Sequence, residues 1–213
     1  MIACGALLLD MDGLMIDSEP LWFELQSNFV CERGGRWTPE LASRCAGGGL
    51  DNAFRVIERA LGVVLDIPQE RAVMSNAFVE RIDRLALKDG CLELIAAATH
   101  HRLPRAVASS STTRLVHATL DRFALRPHFG AVVTGDSVER PKPAPDIFLA
   151  AAARLGVDPA SCIVLEDALT GVAAARAAGM RVIAVPERSA AAFVDCADFV
   201  VSDLHAARRL LAL

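Results

Sequence analysis

No two cysteines stand in a CxxC pair, no run of five or more basic residues occurs, and no apolar stretch reaches 18 residues. Each absence removes a class of protein. Without a CxxC pair or a His/Cys cluster, a zinc site is not expected. Without a basic run, and with 22 Lys+Arg against 26 Asp+Glu for a net charge of -4, no nucleic-acid partner is expected. Without a long apolar stretch, no transmembrane helix is expected and no membrane partner with it. The beginning of the chain has no basic region and meets an acid at Asp10, so a signal peptide is not expected either. The cysteines, at positions 4, 31, 45, 91, 162 and 196, mostly sit beside apolar residues, as in "IACGA" and "SCIVLE". They read as reduced, buried thiols of a cytoplasmic protein.

The chain does contain a series of short apolar runs. "IACGALLLD" reads as a buried parallel strand from Ile2 to Leu9. Similar runs follow at 105–110, 130–136, 161–167 and 181–186, and 198–204 adds a sixth. Helical patterns lie between them, and "APDIFLAAAARLG" and "ALTGVAAARAAG" each close on glycine, a usual helix stop. This alternation predicts an α/β fold: a Rossmann-like parallel sheet with helices on both faces. Residues 17–86 differ. "PLWFELQSNFVCERG" is an amphipathic helix with an aromatic stripe, Thr38 and Pro39 mark a helix start, and the stretches 50–62 and 68–90 also read as helices. The expected organisation is a core of residues 1–16 and 87–213 with an all-helical cap at 17–86. A sheet and a cap account for the apolar helices, so a monomer is expected.

Polar residues gather where the strands end. Asp10 closes the first strand and Asp12 follows it; Ser109 closes the second; Glu166 and Asp167 close the fourth; Lys142 lies in "ERPKPAPD" after the third. Ligands of parallel sheets bind beyond the carboxyl ends of the strands. Crowded carboxylates repel one another and call for a cation, and all-oxygen donors suit Mg²⁺. A lysine nearby can hold a phosphate, a serine can donate to it, one carboxylate can attack phosphorus, and another can move the proton. Singly, each residue has an ordinary explanation. Ser109 would be a helix N-cap, Asp167 likewise, Glu166 a solvated strand end, and Lys142 an exposed lysine. Their joint placement makes those explanations weak.

"DMDGLMIDSEP", "VASSS", "RPKPAPDIF" and "LEDALTG" resemble, in order, the four motifs of the haloacid-dehalogenase-like hydrolase superfamily. More narrowly they are similar to its beta-phosphoglucomutase-like subgroup, which includes many sugar-phosphate phosphatases. The resemblance implies a Mg²⁺-dependent phosphatase of a small phosphorylated metabolite, a sugar or polyol phosphate, acting through an aspartyl-phosphate. It implies Asp10 as nucleophile and metal ligand, and Asp12 as general acid/base with its carbonyl on the metal. Ser109, Ser110 and Lys142 would bind the phosphoryl group, with Lys142 also counted among the catalytic residues. Asp167 would be the distal Mg²⁺ ligand, with Glu166 ligating or supporting it. Asp17 would lie near a hinge to the cap.

The family's mutases carry a cap histidine, a cap arginine and a cap lysine. This chain has Trp22 and Leu50 at the first two positions and Asn76 near the third. That favours a phosphatase, with Trp22 and Asn76 as candidate substrate contacts. Arg44 or Arg55 can substitute for the missing clamps, so a sugar phosphomutase stays open. A phosphoacceptor module, and a dehalogenase, are weaker alternatives; neither explains both the cap and the second acid. The usual serine after the fourth motif's acids is Ala168 here, and Thr170 is placed to orient Asp167.

Overall fold

The computed structural model describes residues 2, 4–187 and 189–213. The first strand, β1 (Ala6–Leu9), is buried throughout. Its side chains alternate: Leu7 and Leu9 enter one apolar core, Ala6 and Leu8 the other. Period-two geometry thus turns a continuous apolar run into a strand covered on both faces. Pairing begins at Ala6 rather than Ile2; Ala3, inside the expected strand, lies outside the described residues.

After β1 the chain turns and enters β2 (Ile16–Asp17). Four helices follow: α1 (Glu19–Glu32), α2 (Pro39–Ser43), α3 (Gly49–Leu61) and α4 (Ile67–Val79). Thr38 caps α2 by accepting from Leu41 N at 3.3 Å, with Pro39 in the first turn. The insert packs around Phe29, Phe54, Ile57 and Phe78. Phe29 meets Phe54 edge-on at 5.4 Å, and Trp22 stacks on Phe78 at 4.2 Å. This is a helical insert of the kind expected. It ends earlier as helix, however: residues 80–90 are not helical throughout. A short 3₁₀ turn, Ile82–Arg84, leads into β3 (Ala86–Leu87), which pairs antiparallel with β2. The outgoing and returning passages of the insert therefore lie side by side.

The chain then runs through α5 (Cys91–His100), β4 (Arg105–Ser109), α6 (Thr113–Arg122), β5 (Ala131–Thr134) and α7 (Asp146–Leu155). It continues through β6 (Cys162–Glu166), α8 (Leu169–Ala177), β7 (Arg181–Ala184), β8 (Phe199–Val200) and α9 (Leu204–Leu211). The six long-sheet strands run in the order β5-β4-β1-β6-β7-β8, all parallel. Ile147 and Phe148 of α7 and Val172 of α8 cover one face; Leu94 of α5, Leu115 of α6 and Leu204 of α9 cover the other. Gly156 and Gly179 stand just past α7 and α8 with φ of 69° and 72°, the left-handed stop that those sequences foretell.

That strand order fixes the site. β1 sits centrally, and the chain leaves it toward β4 on one side and β6 on the other. The crevice where the order diverges lies at the carboxyl ends of β1, β4 and β6. No helix among the described residues is long and apolar enough to cross a membrane. All six cysteines are free; Cys45, Cys91 and Cys162 are buried, whereas Cys31 is exposed, against expectation.

Candidate active site

Asp10 is the first residue past β1, and its backbone N–H still donates to Leu165 O at 3.1 Å, so the sheet ladder holds it. Glu166 is the last residue of β6 and has no exposed surface. Lys142 reaches between them from the loop before α7. Its ammonium donates to Asp10 Oδ1 at 2.5 Å, Glu166 Oε1 at 2.6 Å and the Ala108 carbonyl at 3.0 Å. All three donor positions of the ammonium are used, inside protein. Glu166 Oε2 accepts from the backbone N–H groups of Asp167 and Ala168, both at 3.1 Å. Glu166 thus holds the lysine and the start of the following turn together.

Two glycines make room for these acids. A Cβ on Gly171 would stand 1.8 Å from Glu166 Oε1. One on Gly13 would stand 2.2 Å from Asp167 Oδ2, and Gly13 also has φ of 82°. Only glycine satisfies the turn and the approach at once.

Asp10, Glu166 and Asp167 each present a carboxylate oxygen, all within 4.8 Å of one another. Burial is the main cause of the rise of the Asp10 pKa to about 7; Lys142 pulls it down, and Glu166 and Asp12 push it up. Asp167 is raised well above the ordinary carboxylate range, by burial first and then by Glu166 and Asp10. Burial opposes the charge on Lys142, but Asp10 and Glu166 outweigh it and leave the lysine pKa above its ordinary value. Three carboxylates therefore face one ammonium. A hard divalent cation fits the all-oxygen donor set and the excess of negative charge.

Asp12 stands apart from that cluster. Its Oδ1 accepts from Ser18 Oγ at 2.8 Å and Trp22 Nε1 at 3.3 Å. Its Oδ2 accepts from Ser111 Oγ at 2.8 Å and Ser109 Oγ at 3.4 Å. Four donors, from the core and from the insert, fix this carboxylate over a cavity of 80 Å³ that Asp10 also lines. Ser109 caps no helix: α6 starts at Thr113, and Ser109 Oγ instead accepts from Ser111 N at 3.1 Å. Ser110 donates to the Gly47 carbonyl at 2.7 Å, and Thr170 to the Ala46 carbonyl at 3.1 Å. Both tie the loop after α2 onto the core. Thr170 thus serves the seam between the two parts; no hydrogen bond joins it to Asp167.

A family model of haloacid dehalogenase-like hydrolases matches residues 7–185. The chain belongs to that family. It is a haloacid dehalogenase-like phosphatase, a phosphoric monoester hydrolase. It is 32% identical over 185 residues to a fructose-1-phosphate phosphatase of Escherichia coli, covering 85% of this chain and 96% of that protein. It is 30% identical to a bifunctional riboflavin kinase/FMN phosphatase of Arabidopsis thaliana, of which it spans 48% while 85% of this chain is covered. Among solved structures, a mutant CbbY from Rhodobacter sphaeroides in complex with xylulose-(1,5)bisphosphate superposes with a TM-score of 0.82 at 27% identity, over 94% of this chain and 95% of that one.

The sequence-named residues of this phosphatase divide into two groups. Asp10, Asp12, Ser109, Lys142, Glu166 and Asp167 gather at one crevice, and Trp22 borders the same cavity. Ser110 lines it too, with its hydroxyl turned to the insert. Asn76 does not line it; its side-chain oxygen accepts from Arg114 across the seam between α4 and α6. Four polar residues of the site escaped the sequence reading: Ser18, Glu19, Gln26 and Ser111. Only Ser111 carried a local signal, as the neighbour of Ser109 and Ser110.

Proposed function

We propose that the protein is a Mg²⁺-dependent phosphatase of a small phosphorylated sugar or polyol, working through an aspartyl-phosphate. The observation that carries this reading is the buried contact of Lys142 with Asp10, with Asp12 held two residues on over the same cavity. An oxygen of Asp10 attacks phosphorus as the bond from phosphorus to the leaving alcohol oxygen breaks. Asp12 gives that oxygen its proton. Water then loses a proton to Asp12 and attacks the same phosphorus, breaking its bond to Asp10 and releasing inorganic phosphate. Lys142 neutralises phosphoryl oxygens, and Ser109 donates to one of them. Asp10, Asp167, the Asp12 carbonyl and Glu166, as ligand or support, would hold the metal; when bound it supplies positive charge to the phosphoryl group. The insert keeps bulk water from the first step. Support for sugar phosphates as the substrate class comes from the Escherichia coli relative, a fructose-1-phosphate phosphatase, and from the CbbY mutant in complex with a xylulose bisphosphate.

Asp12→Asn tests the two-step course. Turnover of sugar phosphates should fall on the order of 1,000-fold, with phosphate trapped on the protein as an acid-stable, hydroxylamine-labile adduct. Normal turnover would remove Asp12 from the proton-transfer role. A phosphomutase keeps one structural argument: Arg44 and Arg55 line a larger cavity of 610 Å³ that adjoins the site and also touches Lys142. Net isomerisation dependent on a bisphosphate, with little phosphate release, would establish it.

A further inference from the structure

α1 turns one face to the catalytic cavity. Glu19, Trp22, Phe23 and Gln26 recur at the spacing of a single helical face, and all four line it. Of its aromatic members, Trp22 stacks on Phe78 and Phe23 stays exposed. Gln26 is the anomaly. It is only 7% exposed, in surroundings that include Leu50 at 8% and Ala53 at 2%. No hydrogen bond involves its side chain among the described residues. Its amide atoms are not sealed from solvent, so the side chain lines the cavity with its hydrogen-bonding capacity unspent.

The other polar side chains around the cavity are engaged. Trp22, Ser109 and Ser111 donate to Asp12, Ser110 donates to a backbone carbonyl, and Asp10 accepts from Lys142. Gln26 alone brings both an uncommitted donor and an uncommitted acceptor. A hydroxyl group complements that pair: it can accept from the amide nitrogen and donate to the amide oxygen. A second phosphate does not complement it. No lysine, arginine or histidine is among the described residues lining this cavity. The insert's arginines lie in the adjoining cavity, where Arg44, Arg55 and Arg71 stand with Asp51, Asp136 and Glu139, and where Arg71 already pairs with Asp51 at 3.0 Å.

We infer that Gln26 reads a hydroxyl of the leaving alcohol, and that the cavity selects uncharged, polyhydroxylated monophosphates over bisphosphates. This rests on the phosphatase reading above and names the side chain that sets its specificity.

The test compares three esters: sorbitol 6-phosphate, fructose 1,6-bisphosphate and p-nitrophenyl phosphate, whose leaving group carries no further hydroxyl. Wild type should prefer the polyol monophosphate. In Gln26→Met the ratio of kcat/KM for sorbitol 6-phosphate to that for p-nitrophenyl phosphate should fall about 10- to 100-fold. The variant should melt within a few degrees of wild type, because the amide holds no hydrogen bond to a described residue. An unchanged ratio overturns the inference, as does a wild-type preference for the bisphosphate. A variant melting well below wild type overturns it too, since the amide would then be holding the fold. A wild type that releases phosphate from none of the three defeats the phosphatase reading itself.

Discussion

Taking away the Lys142 ammonium would leave Asp10 and Glu166 with no cation between them. The cost of breaking a buried ion pair from one side is about 3–5 kcal/mol, because Glu166 has no exposed surface and Asp10 little. Lys142→Met should therefore lower unfolding free energy in urea by an amount of that order and abolish phosphate release; a variant as stable and active as wild type would show the ammonium to be incidental. The raised pKa of Asp10, to about 7, has its own consequence. Below that pH a proton holds the carboxylate and competes with a cation for it; above it the site is free to bind. The half-saturating Mg²⁺ concentration should rise as pH falls below about 7, measured from initial rates of phosphate release. A requirement for Mg²⁺ that ignores pH would place the metal away from Asp10. These residues were legible in the sequence for one reason: buried runs such as "ALLL" and "CIVLE" end in acids, and a strand end is where a parallel sheet presents ligands. The four donors to Asp12 were not legible. Ser18, Trp22, Ser109 and Ser111 reach it from both parts of the molecule, and only the folded insert sets that meeting.

At the scale of elements, α1 couples the insert to the chemistry. Trp22 does two things from it: its ring stacks on Phe78 of α4, and its indole N–H donates to Asp12. The two roles separate by substitution. Trp22→Phe keeps a ring for the stack and loses the donor, so kcat should fall about tenfold with little change in KM or melting temperature. Trp22→Ala loses the stack as well, a further cost of about 0.5–1.5 kcal/mol beyond the area lost. Equal kcat in wild type and Trp22→Phe would mean the indole only packs. The return from the insert shows where periodicity misleads. Phe78, Ile82 and Leu85 continue a helical spacing past the end of α4, which is why the sequence reads as helix to residue 90. The structure stops α4 at Val79 because Ala86 and Leu87 pair with Ile16 and Asp17 instead. A partner 70 residues away overrides local preference there.

Across the whole molecule, one strand order explains the site. β1 between β4 and β6 brings Asp10, Ser109 and Glu166 to a common edge, although they are far apart in the chain. The helical insert leaves from that same edge and settles over it, tied down by Ser110 to Gly47, Thr170 to Ala46 and Arg114 to Asn76. The sheet was foreseeable from six apolar runs in alternation with helices. The seam was not, since backbone carbonyls at 46 and 47 leave no mark in a sequence. The central claim is that Asp10 attacks phosphorus, and the most direct measurement is phosphate release from sorbitol 6-phosphate by Asp10→Asn in saturating Mg²⁺. The substitution keeps the side chain's shape and removes its nucleophilic oxygen charge. Release should fall on the order of 1,000-fold or more while the melting temperature holds within a few degrees. Release at the wild-type rate by a folded Asp10→Asn protein would contradict the account.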